Sequence, residues 1–209
     1  MFKFITNMLS VVSTCKPSLV PCSFLVMLSI EHNNNNTRED TDMAMKEHLL
    51  ASIKKAMQGE MDSVSLYQNA AEHSSDAEVK DFFLSRKEEE RIHYNYLLDY
   101  YQQISNDLQP SDINDDLKTD NLKDSIFSDS FIKRIGEDQA LFSAISTAML
   151  LEKDAIDHYR KCEEETDIIT LKTFFALLEV WEMKHYDDLA AIQKEAEHYY
   201  WQINNFEPF

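Results

Sequence analysis

The sequence predicts an all-α protein: a four-helix bundle of two repeated helical hairpins joined by a long crossover. Three observations carry this reading. Two glycines and four prolines in 209 residues are too few turn formers for a β-sandwich or barrel, and they leave no phosphate-cradling glycine loop. Apolar residues recur at spacings of three and four along four long segments. The second pair of segments also repeats the first at an offset of 92 residues, Glu60 falling on Glu152.

Residues 1–40 read as an unassigned N-terminal segment followed, over 31–40 (EHNNNNTRED), by a polar low-complexity linker. Lys3 ahead of the apolar run Phe24–Ile30 gives only a weak export signal with no convincing cleavage site after it, so the expected location is cytoplasmic, with export the minor alternative. The bundle is placed at 41–203. Its first helix runs from near Thr41 to about Ala71 with the stripe Ile53, Met57, Glu60, Val64, Tyr67, Ala71. Ser75 with Glu78 three positions on reads as a capping box. It opens a second helix running to about Gln103 through Phe83, Glu90, Tyr94 and Leu97. Residues 104–136 form the crossover, with seven aspartates against two lysines between Ser105 and Ser130 and a short helix near Phe127–Ile135. A third helix spans about Glu137–Glu165 along Ile145, Met149, Glu152, Ile156 and Tyr159. A fourth, capped by Asp167, spans about Ile168–Gln202 along Phe175, Leu178, Glu182, His185, Leu189 and Ile192, before a tail at 204–209.

The repeat gives 13 identities over the 42 positions from Ala56 to Leu97, matched to Ala148 to Leu189. The long crossover sets the third helix parallel to the second. The net charge of −18 argues against nucleic acid or an anionic membrane as partner and suits cations. No run of about 18 apolar residues occurs. The three cysteines, Cys15, Cys22 and Cys162, form no CxxC. A disulfide framework, a zinc ribbon and a rubredoxin-type iron site are therefore disfavoured, and a reducing compartment is expected.

The chemistry concentrates at one level. Glu60 and Glu90 each lie about 15 residues from the first hairpin turn, so at ~1.5 Å per residue both sit roughly 22 Å from it and face each other. Glu152 and Glu182 stand in the same relation to the second turn. His93 and His185 follow their glutamates by three positions, on the same face. Four carboxylates and two imidazoles thus converge inside apolar stripes. Unneutralised, the carboxylates would repel or protonate. Two divalent cations balance them, and one Glu from each of two helices plus Glu-x-x-His from the other two is the di-iron or di-manganese carboxylate pattern. Manganese and zinc accept the same donors, so ligand type discriminates them from iron poorly. Glu89, four residues before His93, is an alternative to Glu90, although symmetry with Glu182 favours Glu90. Tyr67 and Tyr159, seven residues after the helix glutamates, are placed to hydrogen-bond ligand carboxylates, the alternative being plain core tyrosines. Glu179 reads as a surface salt-bridge partner. Glu195-x-x-His198 reads as a solvated face, and His48, His73 and His158 as exposed. Asp62 and Asp154 are repeated without an evident role.

Glu60, Tyr67, Glu89-Glu90-x-x-His93, Glu152, Tyr159 and Glu182-x-x-His185 resemble the di-iron domain of the rubrerythrin branch of the ferritin-like superfamily, over about residues 43–200. The resemblance implies a ferritin-like bundle holding two irons on Glu60, Glu90, His93, Glu152, Glu182 and His185. In rubrerythrins such a centre reduces hydrogen peroxide; in ferritin relatives it oxidises Fe(II) for storage. Two departures stand out. Typical rubrerythrins have a further glutamate where this chain has Ala155, and they often carry a rubredoxin domain for which this sequence has no cysteine pattern. Both departures count against rubrerythrin-type peroxidase turnover. The expected function is an oxidoreductase acting on peroxide or dioxygen, served by a separate electron-donor protein; relatives often form homodimers, an option the exposed faces leave open. The alternatives are a non-catalytic iron-storage or metal-sensing bundle and, below it, a metal-free interaction bundle.

Overall fold

The structure is a computed structural model that describes residues 22–112 and 127–204, with side chains from residue 40 onward. Cys15, the middle of the crossover at 113–126 and the tail at 205–209 lie outside the described residues. The chain divides into two compact units, Met1–Met43 and Ala44–Phe209. Five helices and no strand occur among the described residues: α1 (Cys22–His73), α2 (Ala77–Ser105), α3 (Asp129–Glu137), α4 (Gln139–Glu165) and α5 (Ile169–Ile203). The second unit is an all-α ferritin-like bundle built on the two hairpins.

The polar stretch 31–40, expected as a linker before a helix starting at Thr41, lies inside α1. Pro21 precedes the helix, and no glycine or proline interrupts the chain from Cys22 to Gln58, so nothing local stops the helix there. The caps also differ from expectation. Asp76, not Ser75, caps α2, its carboxylate accepting from the Val79 N–H at 3.1 Å, while Ser74 Oγ accepts from the Asp76 N–H at 3.1 Å. That leaves Glu78 free of the box, and it accepts instead from Ser128 Oγ at 2.6 Å, at the N-cap of α3. Asp138 caps α4. Ile168, not Asp167, stands at the N-cap of α5, and Thr166 Oγ1 accepts its N–H at 3.3 Å. The short helix expected near Phe127–Ile135 is α3, whose Phe131 and Ile135 are buried.

The apolar core comes in two parts. One gathers Phe83, Phe131, Ile135, Leu141, Ile145 and Ile192 around the first hairpin turn. The other gathers Ile53, Leu97, Leu171, Phe174, Phe175 and Leu178 around the second. Tyr67 belongs to the first and Tyr159 to the second, so each tyrosine stands where its cluster meets the carboxylates at mid-bundle.

The two glycines serve different ends. At Gly136, on α3, a Cβ would come within 2.8 Å of the Ala196 carbonyl and 3.2 Å of the Tyr199 ring on α5; glycine permits that close approach. At Gly59, inside α1, a Cβ would meet nothing within 4 Å. Gly136→Ala should therefore destabilise the fold by about 1–3 kcal/mol through overpacking. Gly59→Ala should stabilise it by about 0.5–1 kcal/mol through helix propensity. Urea melts of the two variants beside the parent check both signs.

Candidate metal centre

The six residues singled out from sequence are brought together and buried: Glu60, Glu90, His93, Glu152, Glu182 and His185 are each 3% exposed or less. Their donor atoms form two overlapping groups, each within 4.8 Å: Glu60, Glu90, His93 and Glu182, and Glu90, Glu152, Glu182 and His185. Glu90 and Glu182 belong to both groups. His93 Nδ1 lies 2.9 Å from Glu182, 3.1 Å from Glu90 and 3.7 Å from Glu60. His185 Nδ1 lies 2.9 Å from Glu90, 3.2 Å from Glu182 and 3.9 Å from Glu152.

Several of these atoms are close together yet out of hydrogen-bond alignment. Glu90 Oε1, both Glu182 carboxylate oxygens, His93 Nε2 and His185 Nδ1 are buried without a hydrogen-bond partner. Carboxylate oxygens and imidazole nitrogens gathered this closely, several of them without hydrogen bonds, are what a cation needs, and the donor set can hold two of them. Four carboxylates match the formal charge of two divalent ions, and carboxylate with imidazole suits iron and manganese.

The tyrosines hold the outer glutamates crosswise. Tyr67 of α1 donates to Glu152 of α4, and Tyr159 of α4 donates to Glu60 of α1. Beyond His185 lies a chain of charge. Its Nε2 sits 3.1 Å from Glu89, Glu89 pairs with Arg86 at 2.8 Å, Arg86 with Asp188 at 2.5 Å, and Asp188 with Lys184 at 2.6 Å. Glu89 thus meets the histidine of the opposite hairpin rather than His93. In the repeat register its counterpart is Trp181, which stacks on His93 with ring centroids 5.0 Å apart. Sequence reading weighed Glu89 but missed Arg86, Asp188 and Trp181. The signal available was the break in the repeat at 89 and 181.

The remaining sequence candidates fall elsewhere. Glu179 pairs with Arg160 at 2.7 Å. Glu195 and His198 are exposed, as are His48 and His73. His158 is half-buried rather than exposed, because it packs against α1 and its Nε2 meets the Ser52 carbonyl at 2.9 Å. Burial lowers its pKa. Burial also pushes the Cys162 thiol up to about 11, which makes it unreactive.

A family model for rubrerythrin matches residues 51–193. The chain belongs to the rubrerythrin family. Every residue of the two donor groups falls within the matched span. No curated protein and no solved structure matches the chain. Among the described residues, no helix is long and apolar enough to cross a membrane.

Without a metal, the rubrerythrin-family layer settles its own charge. Burial and the neighbouring carboxylates push Glu60 and Glu152 well above the usual range. Burial also opposes charge on Glu90, but the two imidazoles outweigh it and hold that carboxyl at about 2; Glu182 is held well below its usual value in the same way. Burial works against charge on His93 and His185 too, and the carboxylates overcome it and raise both. Raised imidazoles thus face two carboxyls held low and two pushed high. The raised histidines contribute stability that is fully present below about pH 6.5 and is lost as pH rises through their folded values; the depressed Glu90 and Glu182 contribute stability that is lost as pH falls below about 4.5. The metal-free chain should therefore melt highest in the mildly acidic range and progressively lower in alkali. Melting temperatures of chelator-treated protein from pH 4 to pH 10 check this.

Proposed function

We propose that the chain is a binuclear iron protein that reduces peroxide or dioxygen with electrons from a separate donor protein, in an oxidative-stress or iron-homeostasis role. Glu60 and His93 would serve one ion, Glu152 and His185 the other, and Glu90 and Glu182 both. What supports this is the overlap of the two donor groups in those two glutamates. Two separate mononuclear sites would share no ligand.

Two ferrous ions held by these residues would supply two electrons, one from each, the number that with two protons takes one hydrogen peroxide to two waters. The chain's own residues set the conditions. The four carboxylates neutralise the ions. The tyrosine hydroxyls restrain Glu60 and Glu152 through one oxygen each, and the other oxygen faces His93 or His185. Glu89 orients His185 through Nε2 and raises its basicity as a donor. The reductant on this reading is a separate donor protein. The −18 charge supports a second reading, an iron-handling bundle, which predicts uptake well beyond two ions per chain.

Anaerobic Fe(II) titration should saturate at about two ions per chain, with protons released as His93 and His185 give theirs up. Loaded protein should then consume about one equivalent of hydrogen peroxide per pair and develop ferric absorption, and Glu60→Ala and His185→Ala should lose both. A loaded protein that stays ferrous in peroxide sinks the oxidoreductase reading. Removing the partner of His185 with Glu89→Leu should weaken metal binding by about tenfold or more, measured by competition with a chelator.

A further inference from the structure

A pocket of about 250 Å³ opens to solvent between α1 and α4. Asp62, Asp154 and Lys55 stand exposed at its rim, and the buried Glu60, Glu152 and Tyr159 form its floor. Gly59, exposed, and Ala155, half-buried, also line it. The other side of the centre is closed by stacked rings, Trp181 on His93 and His93 on His185 at 5.6 Å. The two floor glutamates belong one to each donor group, so a single opening reaches both positions.

An ion cannot cross the apolar clusters at either end of the bundle without losing its hydration uncompensated. Through this pocket it exchanges water for carboxylate in steps, first at the rim and then at the floor. Two carboxylates against one lysine favour cations at the rim, within a protein whose whole field is negative. Gly59 has no positive φ to require it and no neighbour that a Cβ would strike. Its effect is to leave the passage open, and Ala155 does the same from the facing helix.

We propose that this pocket is the port through which divalent cations load the centre, with Asp62 and Asp154 steering the ion and Gly59 and Ala155 setting the bore. The proposal rests on the two-ion reading of the six buried residues, and it concerns the rate of loading rather than the final occupancy.

The test is stopped-flow mixing of metal-free protein with Co(II), read by the fluorescence of Trp181, whose ring lies against His93. The chain has two tryptophans, so Trp201→Phe gives a background in which Trp181 alone reports. Gly59→Leu should slow the quench by about tenfold or more while the final ion count by elemental analysis stays that of the parent. Asp62→Asn with Asp154→Asn should slow it by about three- to tenfold at low salt and less at high salt. Ala155→Leu narrows the bore from α4 and gives a second reading if Gly59→Leu folds poorly by circular dichroism. Loading at the parent rate in folded Gly59→Leu and Ala155→Leu overturns the port. A parent that binds no ion overturns the two-ion reading beneath it, so the two failures are distinguishable.

Discussion

Four carboxylates and two imidazoles buried at one level of a helical bundle are the constraint around which the rest of this fold is arranged. A continuous apolar core is not available to such a bundle. The core therefore divides into two clusters, one around each hairpin turn, with the polar layer between them. Each cluster presents a tyrosine to that layer, an apolar ring with a single polar tip directed at a glutamate. Removing any one member of the layer leaves a buried charge without its counter-charge, the costly case for a buried ionic network. The level of the layer is in turn set by helix length, because the ligands of each hairpin must stand equally far from their turn.

The layer is balanced twice over. Two divalent ions would match the four carboxylates charge for charge; without them the raised imidazoles of His93 and His185 oppose the buried carboxylates. Both arrangements set positive charge against the buried carboxylates. Proton retention is the weaker of the two arrangements, because oxygens of Glu182 and Glu90 remain without hydrogen-bond partners.

Much of this was legible in the sequence because a helix converts residue spacing into height and face. Glu60, Glu90, Glu152 and Glu182 could be set at one level from turn positions alone, and His93 and His185 from their three-residue offset. What was not legible depends on contacts between helices or on competition among nearby groups. Asp76 takes the cap from Ser75 because Ser74 satisfies the neighbouring N–H. Glu89 pairs with His185 rather than with His93, which is on its own helix; only the rotation of α2 against α5 decides that. His158 is covered by α1, which no local pattern announces. The start of α1 at Cys22 was missed because asparagine-rich composition was given more weight than the absence of any helix breaker.

The crosswise tyrosines have a consequence for how the molecule comes together. Tyr67 reaches from the first hairpin to the second, Tyr159 reaches back, and both donor groups draw on α2 and α5 at once. Neither hairpin contains a complete set of partners for its own buried acids. A lone hairpin would have to expose them or protonate them, and it gains their full satisfaction only when the other half arrives. Docking of the halves and completion of the centre are therefore one cooperative event. A chain interrupted within 113–126 retains every residue of the layer on two fragments that have a strong electrostatic reason to find each other again.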